Sequence, residues 1–123
     1  MQYFIVALGS ALGGILRYWL SNFVYNFLPA NFPYGTMIVN FAGSFVIGAI
    51  MFGLNDRNLI SQEMRLFLTV GFCGGFTTFS TFSLETINLL RNSEYLLAGL
   101  NIGLSLIICL AATFLAFVIF SQE

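Results

Sequence analysis

The densest chemistry in the sequence lies in Gly74-Gly75-Phe76-Thr77-Thr78-Phe79-Ser80-Thr81-Phe82-Ser83, where five of the seven residues from Thr77 to Ser83 bear hydroxyls and the other two are phenylalanines. The surrounding chain is apolar. Polar groups in hydrocarbon cost free energy unless they are paired or line a wet cavity, so this cluster marks a segment built to handle a small solute. Gly74 and Gly75 carry no side-chain reason to stay helical, and a broken helix is expected here, its freed carbonyls natural ligands for a cation. The alternative is an unbroken helix whose hydroxyls bond back to their own turn. Phe72, Phe76, Phe79 and Phe82 recur at helical spacing, which in most proteins is simply core packing. Beside hydroxyl donors they gain a second meaning. A ring has a positive edge, so phenylalanines turned edge-on could solvate an anion in a passage too narrow for water.

Two other stretches repeat a polar residue every fourth position: Thr36, Asn40 and Ser44, then Asn101, Ser105, Cys109 and Thr113. Each puts one slowly drifting polar stripe on an apolar helix. Such a stripe can line a path or serve as interhelical hydrogen-bond glue, and both readings stand for the second. Asn40 is the more telling residue, because a mid-span amide needs several partners and can donate two hydrogen bonds to an anion. Arg17 is the one cation inside an apolar run. It either snorkels to the near interface or draws anions to a vestibule. Glu85 follows the hydroxyl cluster, where it can pair with an arginine or line the mouth of a path.

Composition names the solvent. Of 123 residues, 59% are hydrophobic and 7% charged, and the mean hydropathy of +0.92 is that of a bilayer protein. The net charge is −1 with no His and no Lys, so no polybasic patch for nucleic acid exists and proton-relay chemistry is poorly supplied. Cys73 and Cys109 both fall in apolar stretches, which favours small buried hydrophobes over a disulfide or metal site. No metal-ligand cluster or nucleophile and base pair is present, so an enzyme is not expected.

A span needs about 20 mostly apolar residues, and the chain divides into one four-span transmembrane domain over 1–123, with spans near 3–27, 36–54, 64–90 and 95–120. The first is expected to be a retained span rather than a cleaved signal. Pro29 and Pro33 punctuate the first loop, Asn55-Asp56-Arg57-Asn58 the second, and Arg91-Asn92-Ser93-Glu94 the third. Ser61-Gln62-Glu63 can cap the third helix.

Four spans place both termini and the 55–63 loop on one side. Arg57 and Arg65 then oppose Arg17 and Arg91, two cations against two, so the positive-inside rule sets no orientation. Either the tally is too small to read, or the protein inserts both ways and pairs antiparallel. Small residues four apart, at Gly9/Gly13, Ser10/Gly14, Ser44/Gly48, Gly71/Gly75 and Gly99/Gly103, point to close helix packing.

With those residues in view, the sequence resembles the Fluc (CrcB) fluoride channel family over essentially the whole chain. Gly13-Gly14 with Arg17-Tyr18 is similar to that family's first motif. Gly35-Thr36 through Val39-Asn40 with Gly43-Ser44-Phe45 is similar to its second, and Gly71 to Ser83 to its signature third. The resemblance implies an all-α membrane protein of four transmembrane helices with a break in the third, assembling as an antiparallel dual-topology homodimer. It further implies two passive pores, selective against chloride, that carry fluoride out of the cytoplasm across the cell (plasma) membrane. Carried over by position, Phe79 and Phe82 are the pore phenylalanines and Asn40 a fluoride donor. Ser83 and Thr36 belong to the polar track, and Ser105 and Cys109 fall where its fourth-span part runs, with cysteine replacing a better donor. A structural sodium ion at the dimer centre is implied on the main-chain carbonyls of Gly74 and Thr77 from both copies.

Two rivals remain. A proton-coupled small multidrug exporter has similar length and topology, but it needs a carboxylate in span one, and Tyr3 to Phe27 contains none. A non-transporting membrane scaffold would use the hydroxyls only as glue, which does not call for a Gly-Gly pair in the same segment.

Overall fold

The computed structural model describes residues 1–121; Gln122 and Glu123 lie outside the described residues. Among the described residues four helices are long and apolar enough to cross a membrane: Gln2–Val24, Tyr34–Asn55, Gln62–Arg91 and Tyr95–Phe120. At about 1.5 Å per residue each exceeds the roughly 30 Å of bilayer hydrocarbon.

The first loop is held by a side chain rather than by its prolines alone. Tyr25 Oη accepts the Gly35 N–H at 3.1 Å, one of the orphan donors at the start of the second helix, and donates to the Phe32 carbonyl at 3.5 Å. From Ala49 to Asn55 the second helix widens into π turns, and the Asp56 N–H closes the end on the Met51 carbonyl at 3.0 Å. Ser61 caps the third helix by accepting the Met64 N–H at 3.1 Å. That helix is π-wound over Leu66–Cys73 and α-helical over Gly74–Phe76. Thr77 then takes extended angles, φ −90° and ψ 162°, and α-helix resumes over Ser80–Arg91. Gly74 itself is helical, with φ −62° and ψ −40°. The departure follows the glycines and falls among the hydroxyl residues.

Packing explains the glycines. The first span lies against Leu66–Phe76, and a Cβ at Gly9 would sit 2.5 Å from the Phe67 carbonyl oxygen, one at Gly75 2.5 Å from that of Ser10. Only hydrogen fits at these contacts. The second span packs on the fourth, around fully buried Val39, Ala112 and Ala116. There Thr113 Oγ1 donates to the Ser44 carbonyl at 3.0 Å, so this polar residue serves as glue. Gly99 and Gly103 differ from the other pairs, since a Cβ at either meets nothing within 4 Å. The outer faces expose Leu12, Ile15, Ile107 and Phe114, a surface suited to lipid.

Candidate functional site

A cavity of about 400 Å³ opens between the second, third and fourth spans, where Thr77 leaves helical geometry. Its walls include Asn40, Gly43 and Ser44 from the second span, Gly74, Thr77, Thr78, Phe79 and Phe82 from the third, and Ser105 and Cys109 from the fourth. Sequence-predicted residues Asn40, Phe79, Phe82, Ser105, Cys109, Gly74 and Thr77 are thus brought together. Thr36, Ser83 and Arg17 are not in the wall.

Asn40 holds the backbone next to the point where Thr77 leaves helical geometry. Its Nδ2 donates to the Thr78 carbonyl at 2.9 Å and its Oδ1 accepts the Thr78 N–H at 2.9 Å. One amide hydrogen is left for a guest. In an uninterrupted α-helix the Thr78 N–H would close on the Gly74 carbonyl and the Thr81 N–H on the Thr77 carbonyl. The first goes to Asn40, and the second goes to Thr78 Oγ1 at 3.2 Å. The carbonyls of Gly74 and Thr77 therefore lose their helical donors, which fits them for a hard cation that prefers oxygen. Among the described residues no group of three His, Cys, Asp or Glu could hold a metal.

The hydroxyls divide their work. Thr78 Oγ1 accepts from the first turn of Ser80–Arg91, acting as a cap, and contacts the hydroxyls of Ser80 at 3.3 Å and Thr81 at 3.1 Å. Thr77 Oγ1 bonds back to the Cys73 carbonyl at 2.9 Å. Nothing in the hydroxyl run distinguishes Thr78 from its neighbours; what marks it is the amide opposite. The phenylalanine stripe also splits. Phe72 and Phe76 stack at 5.9 Å, with Phe76 buried beside Gly43, whereas Phe79 and Phe82 meet at 5.3 Å and 44° on the cavity. Phe79 is 74% exposed in the single chain.

Arg17 lies behind this wall, its Nε donating to the Gly75 carbonyl at 3.1 Å. A cation there favours the C-terminal end of the Gly74–Phe76 turn. Thr36 is buried and makes polar contact with Glu85, whose Oε1 is buried without a hydrogen-bond partner among the described residues. The Ser83 N–H closes the helix on the Phe79 carbonyl at 2.9 Å, and its side chain is half-buried. Asn101 is fully buried and bonds Thr86, not the cavity.

The family model described as CrcB-like protein, Camphor Resistance (CrcB), matches residues 4–117, a range that takes in the whole cavity. This chain belongs to the CrcB family. Relatives called fluoride-specific ion channel FluC include one from Methylocella silvestris, 46% identical over 121 residues, which covers 97% of this chain and 92% of the relative. One from Geobacter metallireducens is 50% identical and covers 89% of each chain. One from Paramagnetospirillum magneticum is 46% identical and covers 96% of this chain and 94% of its own. The chain is accordingly a multi-pass membrane protein, with its polar cavity and nearly all of its four spans inside the matched range.

Proposed function

We propose that this protein is the subunit of a fluoride-selective ion channel that lets fluoride leave the cytoplasm passively, lowering its toxicity. It is a channel and not an enzyme. The observation that carries this is the placing of Phe79 and Phe82 in one cavity with Asn40 and the Ser105 hydroxyl, in a chain whose relatives are called fluoride channels. Fluoride is small and strongly hydrated, so a narrow path must replace its water with donors and positive ring edges. Asn40, Ser105, Phe79 and Phe82 on this wall can supply both. Family membership also favours a channel over the small multidrug exporter and the scaffold.

The pore is read as complete only in an antiparallel dual-topology homodimer with two pathways. Phe79 is 74% exposed on one chain, and a ring that must exclude water needs a second copy to cover it. The even split of arginines supports insertion in both orientations. We read Thr77 to Phe79 as the break in the third helix. A structural sodium ion would be held by the carbonyls of Gly74 and Thr77 from both copies, where it supplies fixed positive charge that binds the subunits together. Asn40, Phe79, Phe82, Ser105 and Cys109 are assigned to the fluoride pathway where it crosses the cavity, Thr36 and Ser83 to its continuation outside the cavity wall, and Arg17 to its vestibule; for Arg17 the bond to Gly75 supports a second duty as a pin.

The test is fluoride efflux from liposomes carrying the purified protein, measured beside chloride. Wild type should pass fluoride and hold back chloride, and Phe79→Ile should slow fluoride about tenfold through loss of an aromatic contact. Equal flux of the two halides, or none of either, would refute the channel.

A further inference from the structure

We propose that Asn101 is a positioning residue that sets the direction of the Ser105 hydroxyl proton, and so when the fourth span offers a donor to an ion in the cavity. This rests on the channel function above. It starts from Phe82, whose carbonyl can only accept a hydrogen bond. Thr86 Oγ1, 2.8 Å away, must therefore donate to it. A hydroxyl has one hydrogen, so toward Asn101 Nδ2, at 2.9 Å, Thr86 can only accept. The amide is thereby oriented. Its nitrogen faces Thr86, its Oδ1 faces Ser105, and Ser105 Oγ donates to that oxygen at 3.4 Å. Asn101 and Thr86 are 2% and 7% exposed, which keeps water from competing for these bonds.

Ser105 lies one turn further along the fourth span and in the cavity wall. With its proton held on Asn101, it turns lone pairs toward the path. An arriving anion draws the proton outward by rotation of the hydroxyl, breaking only a bond at the long limit of hydrogen-bonding range. Ser105 is thus a donor with two settings, inward when the path is empty and outward when an anion is beside it. Asn101 never touches the ion, yet it decides how readily the donor is released.

The experiment is fluoride efflux from liposomes over a range of fluoride concentrations, for wild type, Asn101→Leu, Ser105→Ala and the double variant. Leucine fills similar space without offering an acceptor. Without its competitor the hydroxyl stays available, and half-maximal efflux should need about two- to fivefold less fluoride, at most the worth of one neutral hydrogen bond. In the Ser105→Ala background the same substitution should change that concentration less than about twofold, because interacting sites are non-additive. Thr86→Val, which unlocks the amide with little change of shape, should shift it in the direction of Asn101→Leu and lose that effect likewise without Ser105. Equal effects with and without the Ser105 hydroxyl would make Asn101 a packing residue and overturn the proposal, with the channel intact. Absence of fluoride efflux from wild type would remove the channel function and the proposal with it.

Discussion

The side-chain amide of Asn40 grips the backbone of Thr78 on both sides, its nitrogen on the carbonyl and its oxygen on the N–H, each at 2.9 Å. A second-span residue thereby satisfies the peptide groups that the third span cannot. In hydrocarbon no water is available to do so, and an unsatisfied backbone group there costs several kcal/mol. The same clasp diverts the N–H that would otherwise close the helix on Gly74.

Asn40→Asp retains the acceptor for the Thr78 N–H but replaces the donor with an oxygen facing a carbonyl. It should destabilise the protein by about 1 to 3 kcal/mol, the cost of a buried polar group left unpaired. Thermal unfolding in detergent reads the loss, and fluoride efflux should fall with it. An Asn40→Asp protein of wild-type stability would mean that the clasp does not hold the backbone at Thr78.

The glycines separate by what stands opposite them. Gly75→Ala would drive a methyl group to 2.5 Å from the Ser10 carbonyl oxygen, whereas one at Gly103 meets nothing within 4 Å. Gly75→Ala should cost about 1 to 3 kcal/mol by forcing the first and third spans apart. Gly103→Ala should stay within about 0.5 kcal/mol of wild type. Unfolding midpoints of the two variants, compared side by side, check the difference; similar losses would contradict it.

Ser93 sits at φ 61°, in the left-handed region, after the helix ending at Arg91. Its N–H bonds the Leu90 carbonyl at 3.0 Å, and the Glu94 N–H bonds that of Leu89 at 2.8 Å, the paired closure that glycine most often completes. Ser93→Gly should therefore stabilise the chain, by about 0.5 to 1 kcal/mol after the greater freedom of the unfolded glycine is subtracted. A lowered melting temperature would count against this turn.

Arg17→Met removes the donor to the Gly75 carbonyl, while Arg17→Lys keeps a cation on a more flexible stem without the guanidinium geometry. If the bond pins the third span, both should lower stability, Met more than Lys, by about 1.5 to 3 kcal/mol for a lost charged hydrogen bond. If Arg17 only draws anions, Lys should match wild type in both melting temperature and fluoride efflux. Measuring both quantities on both variants decides between the two roles.

Much of the site was legible because hydrocarbon makes polar residues conspicuous. The run from Thr77 to Ser83, Asn40 and the repeat through Ser105 stood out by type alone. Thr36 and Ser83 stood out equally, yet neither lines the cavity. Spacing along a helix gives a face but not its neighbour, and the second-span stripe drifts far enough for Thr36 to meet Glu85 while Asn40 meets Thr78. The π turns of the second and third helices had no sequence signal comparable to a proline or a cap.

The sequence by itself determined the solvent, the four apolar helices and the residue types available to a solute, since these depend on local hydropathy and on what a side chain can donate or accept. Tertiary structure alone decided the use of each. It kept Gly74 helical and placed the extended backbone at Thr77, because the alternative partner for Thr78 is an amide 38 positions away in the chain. It sent Phe76 into the core and Phe79 to the surface, and it turned Asn101 from a possible wall residue into the support behind Ser105. Those outcomes rest on distances between helices, which no single helix encodes.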